Sequence, residues 1–281
     1  MRPPRLCAVR RVTPSEALAP GIAMTLFAIK LIMTPLLIAA ATLAARRWGE
    51  SVGGWIVGLP LTSGPVSVFL ALEQGPEFAA HAAQTGLFGA VGVAVFCVAY
   101  AALALRHAWA LTTVCTLALY GFSVFILSLL SYSLLLTAVS TVLLLKAALL
   151  LIPTPGGACP HPPPPWWDLP LRMVAATAMV LALTMGAERL GPEWSGLLAP
   201  FPVFTYIMVV FSHAQSGGTA VCHLMRGVVV GCFAAAAFFA TVAFLLPRCD
   251  MALTYLAAVG VALAVNAATF TLLKARSAAR P

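Results

Sequence analysis

Of the 281 residues, 62% are hydrophobic and only 9% charged, with a mean hydropathy of +1.00, a balance that excludes an ordinary water-soluble domain. The net charge of +8 does not point to nucleic acid, because the arginines and lysines lie mostly at the ends of apolar runs, where they set orientation against anionic headgroups. The chain reads as an all-α polytopic membrane protein whose first partner is the lipid bilayer.

Residues 1–23 are basic and proline-bearing and read as an N-terminal tail, with Met24 as an alternative start. From Met24 onward the apolar runs predict nine spans, at about 24–45, 53–73, 82–105, 108–129, 131–152, 169–187, 194–213, 221–246 and 250–274. The first run is longer than a signal-peptide core and long enough to span. The stretch 108–152 has no charge before Lys146. As one helix it would be about 67 Å long, twice a ~30 Å hydrocarbon core, so a turn is expected at Ser128 to Ser133.

Sliding the chain against itself by 142 residues pairs 47–112 with 189–254 and gives 17 identities in 66 positions. The informative ones include Gly54/Gly196, Pro60/Pro202, Gly75/Gly217, His81/His223 and Arg106/Arg248. This predicts a first four-helix unit (24–129), a linking helix (130–152), a proline-rich linker (153–168), a second four-helix unit (169–274) and a C-terminal tail (275–281). Five spans separate equivalent helices, an odd number, so the second unit is expected upside down relative to the first. Arg46, Arg47, Arg106, Lys274, Arg276 and Arg280 then share one face, which the positive-inside rule assigns to the cytoplasm. The linker ends in Trp166-Trp167-Asp168, indoles suited to the interface and a carboxylate placed to cap the next helix.

The segment Ser195-Gly196-Leu197-Leu198-Ala199-Pro200-Phe201-Pro202-Val203-Phe204, followed by a glycine-rich polar turn and Arg226, resembles the signature of small four-helix bacterial inner-membrane proteins of the GlpM type. The resemblance covers roughly 189–274 and, more loosely, 30–129, and implies a fused tandem of two such units in the bacterial inner membrane. The first copy departs from it, with Leu59-Pro60-Leu61 in place of Phe-Pro.

Pro/Gly breaks at corresponding places in two halves point to a transporter's central site. The candidate substrate-binding residues are therefore Pro60, Thr62, Ser63, Gly64 and Pro65, with Pro200, Pro202 and Thr205, where half-helix ends expose backbone dipoles to an anionic solute. The competing reading is a pair of proline kinks packed through small residues. Lys30 and Arg172 are cations near the starts of equivalent spans; they either meet an anionic group or snorkel to the headgroups.

Glu73, Gln74, Glu77, His81, His213, Gln215, Ser216 and His223 read as water-facing turn residues, with proton relay as the alternative. Arg226 and Asn266 need partners within the bundle. Catalytic signatures are lacking, so no enzyme is expected. The seven cysteines show no CxxC or Cys/His spacing, so neither a metal, a cofactor nor a disulfide framework is expected. The expected protein is a permease for a small or lipid-linked solute, self-association into a homo-oligomer being open. Its rival is a non-transporting membrane protein that organises partners or supports envelope biogenesis; a polar cavity between the halves would favour transport.

Overall fold

The computed structural model describes residues 20–60, 63–129, 133–155, 164–190 and 202–278. For 20–30, 186–190 and 272–278, and at a few single positions, only the backbone is described. The described residues form nine helices and no strand: α1 (Pro20–Trp48), α2 (Glu50–Val57), α3 (Ser63–Gln74), α4 (Pro76–Ala104), α5 (Trp109–Ser128), α6 (Leu134–Leu151), α7 (Asp168–Leu190), α8 (Val203–Leu245) and α9 (Met251–Ala278). Six of them, α1, α4, α5, α6, α8 and α9, contain stretches long and apolar enough to cross a bilayer. Nine spans were expected. The expected span 53–73 is instead divided between two short helices, α2 and α3, and the turn expected near Ser128 falls where α5 ends and α6 begins.

Three glycines act as single-residue joints. Gly49 (φ 97, ψ 159), Gly75 (φ 90, ψ 167) and Gly217 (φ 77, ψ −175) all occupy the positive-φ, extended region that is essentially confined to glycine. Gly49 separates α1 from α2 and Gly75 separates α3 from α4. Gly217 breaks α8, whose 43 residues would measure about 64 Å if straight, into arms 203–216 and 218–245. Helix ends at Trp48 and Leu190, joints at Gly75 and Gly217, and helix starts at Trp109 and Met251 are each 142 residues apart.

The 218–245 arm is the centre of the bundle. On one side α2 lies against it backbone to backbone. A Cβ added at Gly54 or Gly58 would overlap the carbonyl oxygens of Leu224 and Val228, and one added at Gly227 or Gly231 would overlap those of Ser51 and Trp55. These are two GxxxG sequences in register: small residues let two backbones approach, and lipid-embedded helices associate through such packing because burial of apolar surface gives them little. Gly53, on another side of α2, brings it against α1, where an added Cβ would lie 2.6 Å from that of Ala45.

On its other side the arm runs antiparallel to α4: Gly218 meets Ala104, Cys222 meets Ala101 and Phe239 meets Gly86. Leu87, Phe96, Cys97 and Tyr100 of α4 and Leu224, Met225 and Val228 of α8 form the main core. A smaller cluster at the far end joins Ala79, Ala80 and Ala83 to Val242, Leu246, Tyr255 and Ala258. The opposite surfaces of α5 and α6 expose large apolar side chains such as Phe122, Leu135, Leu143 and Leu150, as helices facing lipid do.

Gly227→Ala therefore forces two packed backbones apart and is expected to lower stability by about 1–3 kcal/mol. At Gly121 an added methyl meets nothing within 4 Å, and Gly121→Ala is expected to leave thermal unfolding in detergent unchanged.

Candidate functional site

The break between α2 and α3 follows from residue chemistry. Pro60 has no N–H to continue a helix. The N–H groups of Gly58 and Leu59 close α2 on Gly54 and Ile56, while the Pro60 carbonyl accepts from the N–H of Gly64 at 2.9 Å and so starts α3. Beyond the break lies a half-open cavity of about 530 Å³. One wall is Leu59, Pro60, Gly64 and Val68, and a second is Ala234 and Phe238 of the long arm. The third is α9, from Tyr255 through Ala262 to Asn266.

The lining is almost entirely carbon. Tyr255 commits its hydroxyl to Ser67, 2.9 Å from Oγ and 2.7 Å from the carbonyl oxygen to which it donates. Asn266 was expected to make an interhelical hydrogen bond; its Oδ1 is instead buried without a partner among the described residues, on the cavity wall.

Side-chain volume explains why this cavity exists. At the same 142-residue offset Gly64 corresponds to Tyr206 and Ala262 to Tyr120. Tyr120 is buried, packs 3.3 Å from where a Cβ on Gly92 would stand, and lies edge-on to Phe96 at 6.3 Å. A tyrosine fills what a glycine and an alanine leave open on the cavity side.

Of the sequence candidates, Pro60 and Gly64 line the cavity. Ser63 and Pro65 lie in the first turn of α3, whereas Thr62 and Pro200 fall outside the described residues. Pro202 caps the start of α8 and accepts from Tyr206 N–H at 2.8 Å, and Thr205 is buried one turn inside; neither lines the cavity. Lys30 lies on α1, with only its backbone described.

Arg172 belongs to a second polar centre. Asp168, 1% exposed, receives Arg46 Nη2 at 2.7 Å, Arg172 Nε at 2.9 Å and the amide of Gln215. Asp168 was expected to cap α7; its carboxylate is instead committed to these three donors, tying the last turn of α1 and the first of α7 to the 203–216 arm. Arg172 also points Nη1 at Met208 Sδ, 3.6 Å away, and stands 5.0 Å over the Phe211 ring, a cation–π contact. It is therefore paired and buried rather than snorkelling.

Gln215 and His213, expected to face water, are drawn inward. His213 is buried with its ring 5.8 Å from that of Tyr100, and its Nδ1 has no hydrogen-bond partner among the described residues. Arg226 finds its partners at the end of α6, donating to the carbonyls of Leu149 at 2.9 Å and Ile152 at 3.2 Å. A cation on those carbonyls satisfies acceptors the helix leaves open and suits the negative end of its dipole.

No family model, curated protein or solved structure matches the chain. Fold and site define its class: an all-α, multi-pass membrane protein with an apolar cavity beside a broken helix.

Asp168 lies at the interface, ahead of the expected span. Burial pushes its carboxyl pKa up, but the hydrogen bond from Gln215 and the charges of Arg172 and Arg46 outweigh that and hold it below the ordinary value. The stability it contributes is thus complete above the unfolded value of about 3.9 and is lost as pH falls through the lower folded value. Asp168→Ala strands a buried guanidinium and is expected to cost about 3–5 kcal/mol at neutral pH. Thermal unfolding of both forms from pH 7 downward checks this, the two curves converging below the folded pKa.

Proposed function

We propose that the chain is a permease of the bacterial inner membrane, built from two inverted four-helix units and a linking helix. In this reading it moves a small or lipid-linked solute through a site between the units. The observation that carries it is the position of the cavity: Pro60, Gly64 and Val68 belong to the first unit, and Ala234, Phe238 and the α9 residues to the second. The duplicated architecture is supported by helix ends and glycine joints that recur 142 residues apart. Inversion is supported by the antiparallel packing of α4 on the 218–245 arm, its counterpart in that frame. Counterpart spanning helices that run antiparallel cross the bilayer in opposite directions.

Rocking of one unit against the other around a broken helix follows from such symmetry. The GlpM-type resemblance of the Gly196 to Phe204 segment supports the membrane and the tandem, and not a reaction. The rival, a partner-organising protein, draws on the tight backbone packing of α2. The open cavity just beyond that packing favours transport, and its apolar lining favours the lipid-linked alternative over a free ion.

Gln74 and Ser216 flank the glycine joints at positions where ordinary backbone accepts a cysteine. On a cysteine-free background, an impermeant maleimide added to whole cells is expected to label only one of Gln74→Cys and Ser216→Cys. Equal labelling of both would remove the inversion. Reconstituted protein that moves no solute or lipid under any ion gradient would remove the permease.

A further inference from the structure

The cavity's length, polarity and opening together select an occupant. Along α9 its wall runs from Tyr255 to Asn266, roughly 16 Å of helix. That is about half of a ~30 Å hydrocarbon core, the depth of one leaflet. Val259 and Leu263, on the same wall, are exposed, so the space opens toward lipid. Tyr255 is closed off by Ser67 at one end.

At the other end, nearer Lys274 and Arg276 in the sequence, stands the buried, unpartnered Oδ1 of Asn266. An acceptor left so is costly until a donor reaches it. An apolar slot one leaflet deep, with a hydrogen-bond acceptor near its headgroup end, matches a single hydrocarbon tail whose head begins with an O–H group.

We propose that this cavity binds a single-chain lipid carrying a free hydroxyl at the junction of tail and headgroup, the chemistry of a lysophospholipid, with Asn266 accepting from that hydroxyl. The proposal names the substrate class of the permease and rests on that reading for movement of the lipid, though not for its binding. Charge at the head is met by the basic C-terminal end of α9 in place of a buried anion site.

The test uses full-length protein in phosphatidylcholine liposomes with a lysophosphatidylethanolamine carrying a photoreactive diazirine in its chain. Adducts mapped by peptide mass spectrometry are expected within 59–68 and 255–266, and are expected to be lost in Ala262→Tyr, which copies the plug at Tyr120. Gly64→Leu fills the slot from the opposite wall and serves if the first variant does not fold. Adducts on the lipid-facing side of α6, at Leu135, Leu143 and Leu150, should persist in both.

Asn266→Leu is expected to weaken competition by unlabelled lysolipid roughly three- to ten-fold, and to leave unchanged competition by the analogue whose hydroxyl is methylated. Labelling that survives both plugs, or that distributes equally over α6, overturns the site. Cavity adducts without lipid movement between leaflets keep the site and overturn the permease. Movement without cavity adducts keeps the permease and overturns the site.

Discussion

The contact between the Gly54–Gly58 face of α2 and the Gly227–Gly231 face of α8 is the constraint on which the remaining arrangement depends. Without side chains between them the two backbones touch, and van der Waals packing at that distance substitutes for the hydrophobic effect that lipid removes. The contact sets where α2 ends and therefore where Pro60 emerges. It also carries α1 through Gly53. The cavity begins where this backbone packing stops, at the first residues of the break.

Much of this was legible in the chain because proline and glycine act locally. Pro60 between two glycines announces a break whatever surrounds it, and Gly75 and Gly217 announce joints in a frame the repeat had already marked. Asp168 was misread for the opposite reason: its partner Arg46 is 122 residues away, and nothing in the Trp-Trp-Asp segment distinguishes a cap from an ion-pair acceptor. Asn266 was misread because a lone amide in an apolar span has no sequence signal for the presence or absence of a donor opposite it. The pairing of two GxxxG segments in so glycine-rich a chain was equally hidden, since periodicity reports which face is small and not which helix receives it.

Counterpart positions have diverged in volume more than in backbone. The frame that relates Gly75 to Gly217 also relates Ala262 to Tyr120 and Gly64 to Tyr206. One interface is thereby closed by aromatic side chains and the other left open. A duplicated backbone with unequal filling yields one cavity where strict symmetry would yield two or none. Arg226 on the last carbonyls of α6 is another departure: its counterpart is Gln84, so only the second copy of that helix anchors the linking helix.

The carboxylate shared by Arg46, Arg172 and Gln215 gives the bundle a fulcrum. Separating α1 from α7 at that end would expose a guanidinium and a carboxylate to hydrocarbon, whereas at the opposite end the two halves meet through the hydroxyl of Tyr255 on Ser67 and alanine-rich surfaces. A neutral hydrogen bond opens at far smaller cost than a buried ion pair. The molecule is thus hinged at its basic end and latched at the other, and relative motion of its halves is greatest where the tyrosine stands.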